Sequence, residues 1–390
     1  MLESKATTYC HFSPQKLAAA MRTRHPDWLA ARVVHLTGGC RARNDFDPLL
    51  VFEPALASGE TLQMNLRAFN SLYAQLNTAN LSSIGFDFVT DSTQARGLIP
   101  ADWRPYHPWS SSIWPCQDEI DRWSQIGYAG SKAKDSKLWD IARRVSHQLR
   151  VCAWRLRQIS ESYREQLHSR TATGEFKAGA RFEDGYTWLC YLSIQVFLVD
   201  ACVLRDYIAE FYSMYACPEP DLISGLHITS MSALKKQALD KLSSTNQITD
   251  ELKSATKMGG WLHLLGAYRN LVVHCVPLAR SDSSLAALST ELVICGIGSL
   301  PAVLLPLPEN PSAISKSRAS GEHLASLDEE LSFFVKANRG SIPSTDGLVY
   351  AHECLGNLTK LVWSLQEHAP LKPEIPHFIE DDVGGEIKFI

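Results

Sequence analysis

The sequence predicts a mainly α-helical protein with a helical bundle in its middle part. Three stretches support this prediction: residues 137–168, residues 182–215 and residues 259–277. In the first, apolar residues recur at intervals of three and four, whereas the second is apolar on nearly all sides. We expect an irregular N-terminal α(+β) accessory domain over residues 1–130, the bundle over residues 131–280, and a C-terminal extension over residues 281–390 with a small β-hairpin, helices and a tail.

The composition is that of a soluble globular protein. Hydrophobic residues make up 45% and charged residues 21% of the 390 residues, and the formal net charge of -4 argues against a globally cationic nucleic-acid binder. The ten cysteines form no CxxC pair and the histidines are dispersed, so no metal or cofactor is expected. Residues 1–12 do not resemble a secretory signal, and reduced thiols are the simplest interpretation, which together indicate a cytoplasmic protein.

Prolines interrupt the N-terminal region, where residues 14–24 and 62–76 are expected to be helical. The Gly38-Gly39 pair is expected to form a plain turn, because no Gly-Lys-Ser/Thr ending of a phosphate loop follows it. Residues 102–123 are rich in tryptophan and proline, and we expect them to pack onto a core, with stacking of unpaired bases as the alternative. Residues 127–137 indicate a linker.

The helix expected over residues 137–168 carries a basic ridge. Its arginines recur at every seventh position, and they are Arg143, Arg150, Arg157 and Arg164. A solvated face is the usual explanation of such a charge run, and a track for a phosphate backbone is the alternative. These arginines are the candidate RNA-binding residues.

The second long stretch, residues 182–215, is expected to be a buried helix. A membrane span is disfavoured because Gln195 and Asp200 interrupt the apolar run and Arg205 follows it. A buried carboxylate is costly unless it is paired, so Asp200 should meet an arginine or another donor from a neighbouring helix. Arg269 is one candidate partner, and a structural pairing elsewhere is the other.

The third stretch, residues 259–277, contains the one tight cluster of chemically capable side chains. Two glycines open it and a proline closes it, which predicts a helix of about four turns. At about 100° per residue, His263, Asn270 and His274 fall within about 40° of one another, with Arg269 to one side. The remaining positions are apolar and are expected to face a core: Leu264, Leu265, Tyr268, Leu271, Val272, Cys275 and Val276.

The run Arg-Asn-Leu-Val-Val-His at residues 269–274 resembles the signature of the HEPN superfamily, whose members are mostly metal-independent endoribonucleases. An asparagine directly after the arginine is favoured in that family. Long helices precede the motif here, as in the family's helical bundle. The resemblance covers roughly residues 137–280.

The resemblance implies that Arg269 binds the scissile phosphate, that Asn270 positions Arg269 or the RNA, and that His274 transfers a proton. It also implies a homodimer in which two Arg/His sets line one cleft. His263 and Asp200 are candidate supporting residues from their positions alone, and a surface histidine is the usual explanation of His263. The implied function is a toxin or antiviral defence effector that cleaves RNA under a regulatory partner protein. The tyrosine that is nucleotidylated in some family toxins is missing after His274. The alternative is a non-catalytic helical module that binds nucleotides or proteins.

The C-terminal region is expected to begin with a hairpin. Residues 292–297 and 302–307 are short apolar runs separated by Gly298 and Pro301. A Ser/Pro-rich loop is expected over residues 309–320, helices over residues 324–337 and 348–366, and a strand-like ending at residues 387–390.

Overall fold

The structure is a computed structural model that describes residues 31–44, 49–56, 58–66, 72–89, 102–109, 111–274, 278, 286–308, 310–320 and 345–375. Its strands are β1 (Ala31–Leu36), β2 (Arg41–Asn44), β3 (Leu49–Glu53), β4 (Gln63–Asn65), β5 (Ser83–Val89), β6 (Asp102–Pro105), β7 (Arg181–Phe182), β8 (Ala287–Ile294) and β9 (Gly298–Leu304). Its helices are α1 (Leu72–Thr78), α2 (Pro115–Lys132), α3 (Ser136–Ala172), α4 (Gly185–Phe211), α5 (Pro220–Ile223), α6 (Met231–Gln237), α7 (Gln247–Thr256), α8 (Trp261–His274), α9 (Pro311–Ser320) and α10 (Gly347–Gln366). The described chain is therefore mainly helical, as expected.

The N-terminal region is a regular sheet rather than an irregular domain. Six antiparallel strands lie in the order β4-β3-β2-β1-β5-β6, and Val34, Phe52 and Phe86 are among its fully buried residues. The helix expected over residues 62–76 is wrong at residues 63–65, which form β4, and right from Leu72, where α1 begins; residues 67–71 lie outside the described residues. Residues 14–24 lie outside the described residues.

Two short connections were expected in this part of the chain, one at Gly38-Gly39 and one over residues 127–137. The Gly38-Gly39 pair forms a short turn between β1 and β2, as expected, and this turn packs against α3. The expected linker over residues 127–137 is wrong, because α2 continues to Lys132 and only residues 133–135 separate it from α3. The expected domain boundary after residue 130 consequently falls inside α2.

The bundle is built on α3, which packs against α2 and α4 and also contacts α10. Its 37 residues extend over about 55 Å. Asp135 caps its first turn by accepting a hydrogen bond from the Leu138 N–H at 3.0 Å, and Asp184 with Thr187 forms a capping box at the start of α4. Both long helices were predicted correctly, α3 from its periodicity and α4 from its long apolar run.

The helix α4 is less buried than its composition suggests. Together with the π-helical turn Tyr212–Ala216 it is long and apolar enough to cross a membrane, with a mean hydropathy of 1.7, yet half of the apolar window is buried inside the protein. One face is exposed: its large apolar side chains are 37% to 52% exposed, and they are Trp188, Leu189, Leu192, Val196 and Val199. We call these five residues the α4 apolar stripe.

The C-terminal region confirms the hairpin and the helix over residues 348–366. The strands β8 and β9 pair in an antiparallel hairpin, and β7 adds to β8 as a third strand. The loop expected over residues 309–320 is wrong, because α9 occupies most of it and packs against α8. Asn310 accepts a hydrogen bond from the Ala313 N–H at 3.0 Å, and Pro311 opens the helix, so a cap that favours helix formation was present in the sequence. Residues 324–337 and 387–390 lie outside the described residues.

One hydrophobic core connects the sheet and the bundle. The aromatic segment of residues 102–123 contributes to it, since Trp103 is 4%, Tyr106 6% and Trp123 0% exposed. The Trp103 indole donates a hydrogen bond to the Ala153 carbonyl of α3 at 2.8 Å. Packing onto the core is therefore confirmed for these three rings.

Candidate functional site

The candidate site lies on α8, and glycines determine how this helix starts. Gly259 adopts a φ of 79°, which favours glycine. A Cβ atom on Gly260 would lie 2.3 Å from the Ala255 carbonyl oxygen. The chain can therefore turn from α7 directly into α8, because no side chain separates the two helices at this corner.

One face of α8 is fixed to the core. Leu265, Tyr268 and Leu271 are buried, as expected from their spacing. The Tyr268 hydroxyl donates to the Pro308 carbonyl at 2.7 Å, and its ring meets Tyr350 of α10 edge-on at 5.0 Å between centroids. The opposite edge of the helix, with Asn270 and His274, is consequently held on the outside. Residues 275–277, where the helix was expected to end, lie outside the described residues.

The three motif side chains meet on this outer edge. Nη1 of Arg269 donates to Oδ1 of Asn270 at 3.2 Å and to Nε2 of His274 at 3.4 Å. On a helical wheel Arg269 points away from His274, but its long side chain reaches back to the imidazole. Because the guanidinium always carries its protons, Nε2 of His274 acts as the acceptor in this contact. Asn270 and His274 are exposed and Arg269 is half-buried.

A cavity of about 450 Å³ opens beside Arg269 and Asn270, between α4, α6 and α8. Three cations line it, Arg205, Lys235 and Arg269, together with Asp206 as the only carboxylate among the described lining residues. Asp206 is occupied, since its Oδ1 accepts from the Arg205 guanidinium at 3.2 Å and from the Met231 N–H at 3.0 Å. Lys235 is also paired, since its Nζ lies 2.7 Å from Oδ1 of Asp240. Arg269 is therefore the lining cation that has no carboxylate partner in the described chain, and its charge suits an anionic ligand.

Gly266 allows Arg205 to reach this cavity. A Cβ atom at position 266 would lie 2.8 Å from Nη1 of Arg205. The guanidinium of α4 therefore crosses the surface of α8 at the single position where α8 carries no side chain. Arg269 has no ion pair with a carboxylate in the described part of the chain, so its charge is available to a ligand.

Of the two expected supporting residues, His263 lies at the cavity and Asp200 does not. His263 lines the cavity, and its Nδ1 accepts a hydrogen bond from the Gly259 N–H at 3.4 Å. Asp200 does not pair with Arg269. Its Oδ2 accepts from Nε of Arg155 at 2.7 Å, and the Gln148 amide donates to its Oδ1 at 3.3 Å. Asp200 therefore ties α4 to α3, which is the structural pairing that the sequence left open.

The basic ridge of α3 divides into two halves. Arg157 donates two hydrogen bonds to Asp87 of the sheet, at 2.9 and 2.7 Å, and Arg164 lies 3.7 Å from Glu53. Arg143 and Arg150 are exposed, and the Arg143 guanidinium lies 5.4 Å from the centroid of the Trp139 ring. Contact with RNA remains a prediction for this ridge, and Arg143 and Arg150 are its accessible members.

Sequence reasoning missed a buried polar cluster between the sheet and α3. Nδ1 of His35 lies 3.1 Å from Oγ of Ser160, and its Nε2 lies 3.2 Å from Oδ2 of Asp87. Burial, together with the charge of Arg41, lowers the pKa of His35 to about 3. Burial alone would raise the pKa of Asp87, but hydrogen bonds from His35 and Arg157 lower it. The imidazole is therefore neutral and the carboxylate ionised.

The same cluster is the one group of potential metal ligands in the described chain. Ligand atoms of His35, Asp87 and Glu161 lie within 4.8 Å of one another. Two guanidinium groups already occupy these carboxylates, since Arg157 binds Asp87 and Arg41 lies 3.0 Å from Glu161. His35 is fully buried and Asp87 is 5% exposed. The cluster is therefore a structural link, and no local sequence pattern could reveal it because its members come from β1, β5 and α3.

The chain matches no protein-family model, and it has no significant similarity to a curated protein or to a solved structure. The likeness of residues 269–274 to the HEPN signature therefore stands on the motif itself and on the helices around it.

Proposed function

We propose that this protein is a metal-independent endoribonuclease that cleaves RNA through Arg269, Asn270 and His274. The observation that carries the proposal is the 3.4 Å contact between the Arg269 guanidinium and the His274 imidazole on an exposed helix edge. An arginine fork matches the oxygens of a phosphate, and an imidazole can exchange protons near neutral pH. Arg205 and Lys235 line the neighbouring cavity, but each is already paired with a carboxylate, Asp206 and Asp240, so Arg269 supplies the unpaired charge for a phosphate.

In the proposed reaction, the 2′-oxygen attacks the adjacent phosphorus while its proton passes to one imidazole. The P–O5′ bond breaks, and a second imidazole protonates the leaving 5′-oxygen. The products are a 2′,3′-cyclic phosphate and a 5′-hydroxyl. Arg269 stabilises the charge that gathers on the phosphorane, and Asn270 holds Arg269 through the 3.2 Å hydrogen bond.

Because each chain supplies one His274, the second imidazole would come from a second copy. The α4 apolar stripe supports this pairing, since contiguous exposed apolar side chains commonly mark an interface. Val199 belongs to the stripe and also lines the cavity beside Arg269. A two-fold pairing through the stripe would therefore bring two motif helices close together.

The decisive experiment is RNA cleavage in the presence of EDTA by five purified proteins: the wild type, Arg269→Ala, His274→Ala, the double variant of both, and the control His168→Ala. His168 is also an exposed histidine on a helix, but it lies outside the motif. Each motif variant should lose about 100-fold or more in rate, with an unchanged melting temperature. The control should cleave like the wild type. The double variant should be little worse than either single variant, because the two groups act as one unit.

Mixing the Arg269→Ala chain with the His274→Ala chain tests the composite site. The mixed dimer contains one Arg269 and one His274, so one of the two proton transfers has no imidazole. Cleavage should therefore recover only in part, and only if phosphate binding and proton transfer can be filled from different protomers. The proposal fails if cleavage stops in EDTA, or if both substitutions mainly lower the melting temperature.

A non-catalytic module is the second candidate, and the cavity beside the motif favours it. In that case the protein would bind RNA or a nucleotide without cleaving it, and Arg269→Ala would weaken binding. The role of toxin or antiviral defence effector under a regulatory partner belongs to the nuclease proposal. It predicts that expression of the wild type, and not of His274→Ala, slows cell growth.

A further inference from the structure

One exposed face of α3 combines aromatic and basic side chains. At about 100° per residue its members fall within an arc of about 80°, and they extend over about 22 Å of the helix. The helix contacts its neighbours through other residues, since Oγ of Ser146 donates to the Ile120 carbonyl of α2 and the Gln148 amide donates to the Asp200 carbonyl of α4. We call this surface the α3 outer face, and its exposed residues are Trp139, Arg143, His147, Arg150 and Trp154.

The two arginines of the α3 outer face differ from the other arginines of this helix in their partners. Four of the others form ion pairs with carboxylates, and they are Arg144, Arg155, Arg157 and Arg164. Arg143 and Arg150 form no ion pair in the described part of the chain. Asp140 is the only acidic residue of α3 within the span of the face, and it is bound to Arg144 at 2.7 Å. Two positive charges of the face are therefore available to a polyanion.

Two indoles distinguish this face from a merely solvated helix surface. Trp139 is 39% and Trp154 is 36% exposed, and among the described residues only two other tryptophans reach this exposure. Each indole has one of the unpaired arginines four positions away, which places the two side chains side by side on a helix. The Arg143 guanidinium lies 5.4 Å from the centroid of the Trp139 ring, and Arg150 precedes Trp154 by one turn. The face thus contains an aromatic ring next to a cation twice.

Aromatic rings interleaved with unpaired cations suit a single-stranded nucleic acid. An unpaired base can stack on an indole while its phosphate meets the neighbouring arginine. In a duplex the faces of the bases are covered by stacking, so the indoles would have nothing to stack on. An acidic peptide would satisfy the arginines but offers no flat ring for the indoles.

We propose that the α3 outer face binds an unpaired strand of RNA, with one base stacked on Trp139 and another on Trp154. The distance of about 22 Å between the two positions corresponds to roughly six stacked nucleotides at about 3.4 Å each. The inference rests on the proposed function for the identity of the polymer, since RNA is the proposed substrate. It adds that the substrate is recognised as a single strand, at a surface outside the motif.

The test is the binding of a fluorescent oligouridylate of about ten nucleotides, measured by anisotropy on the full chain. Every protein carries His274→Ala, so that binding is measured without cleavage. Trp139→Leu and Trp154→Leu should each weaken binding about fivefold or more, because leucine keeps an apolar side chain but cannot stack on a base. The matched control is Trp363→Leu, which changes a tryptophan of α10 that is 42% exposed. It should bind like the parent protein.

Two further comparisons separate stacking from folding and from charge. Trp154→Phe keeps an aromatic ring, so it should lose less affinity than Trp154→Leu. The same oligouridylate paired with oligoadenylate should bind about fivefold more weakly than the single strand or worse, and the leucine substitutions should not weaken the duplex further.

The inference is overturned if the duplex binds as tightly as the single strand, or if both leucine variants bind like Trp363→Leu. Equal losses in Trp154→Phe and Trp154→Leu would also overturn it, as would a polyglutamate peptide that binds as tightly as RNA. These failures leave the nuclease proposal intact if His274→Ala abolishes cleavage. Conversely, a wild-type protein that does not cleave RNA but binds the single strand through its indoles removes the nuclease proposal and keeps this surface.

Discussion

Replacing Glu119 by glutamine should make the stability of the protein less dependent on pH. Glu119 is a residue of α2 that is 1% exposed, and its Oε2 is buried without a hydrogen-bond partner in the described structure. Oε1 lies 3.5 Å from Nε of Arg122. Burial raises the pKa of Glu119 from 4.5 to about 7, Arg122 opposes the rise, and Asp118 and Glu367 add to it.

The raised pKa of Glu119 makes the free energy of unfolding depend on pH. A difference of about 2.5 pKa units corresponds to about 3 kcal/mol at about 1.4 kcal/mol per unit. Because the pKa is higher in the folded state, this stabilisation is complete below pH 4.5 and is lost as the pH rises through about 7. Glutamine carries no charge at either pH. Glu119→Gln should therefore exceed the wild type in free energy of unfolding by up to about 3 kcal/mol at pH 8 and differ little at pH 4.5.

The measurement is chemical denaturation of both proteins across pH 4.5 to about 8, with the free energy of unfolding taken from the midpoint and slope. Glu175→Gln is the matched control, because Glu175 is exposed. The control should follow the wild type at every pH. A constant difference between Glu119→Gln and the wild type across this range would refute the reasoning, since it would mean that Glu119 does not change its protonation on folding.

Three further predictions concern the surfaces and the buried cluster. Arg143→Glu combined with Arg150→Glu should weaken RNA binding severalfold and flatten its salt dependence with the fold intact, and an unchanged salt series would make the ridge a solvated face. Leu192→Asp should convert a dimer into a monomer in sedimentation at micromolar concentration; a wild-type chain that cleaves RNA as a strict monomer would contradict the composite site. Asp87→Asn should lower the free energy of unfolding by about 2 kcal/mol, because it removes the buried carboxylate that binds Arg157 and His35 and leaves Arg157 with Glu161 alone, at 3.3 Å; thermal denaturation measures this loss.

The parts of the fold that sequence predicted well are those with local causes. The period of α3 and the apolar length of α4 are visible within single windows of sequence, and both helices were found. The sheet was missed because β1 and β2 are short and contain arginines at buried positions, including Arg32 and Arg41. Those arginines find partners only in the folded chain. In the sequence alone they interrupt the apolar pattern that predicts a strand.

In the candidate site, too, local contacts could be predicted from the sequence and long-range contacts could not. Arg269, Asn270 and His274 are five residues apart at most, and helix geometry was enough to bring them to one edge. The partner of Asp200 depends on how α3 and α4 pack, which no spacing along the chain specifies. The same is true of a further cavity between the sheet and α10, because Ser83 lies in β5, His107 follows β6, and α10 comes from a distant part of the sequence.

The close approach of Arg205 to Gly266 has a consequence for attempts to stabilise the protein. A glycine inside a helix costs about 1 kcal/mol relative to alanine, so an engineering scheme guided by helix propensity would replace it first. At this position the added methyl group would occupy the place of the guanidinium, which lies 2.8 Å from the new Cβ atom. Gly266→Ala is thus a substitution in which the gain of a stiffer helix is coupled to the displacement of Arg205, so selection for heat resistance alone would change the charge that lines the cavity beside Arg269.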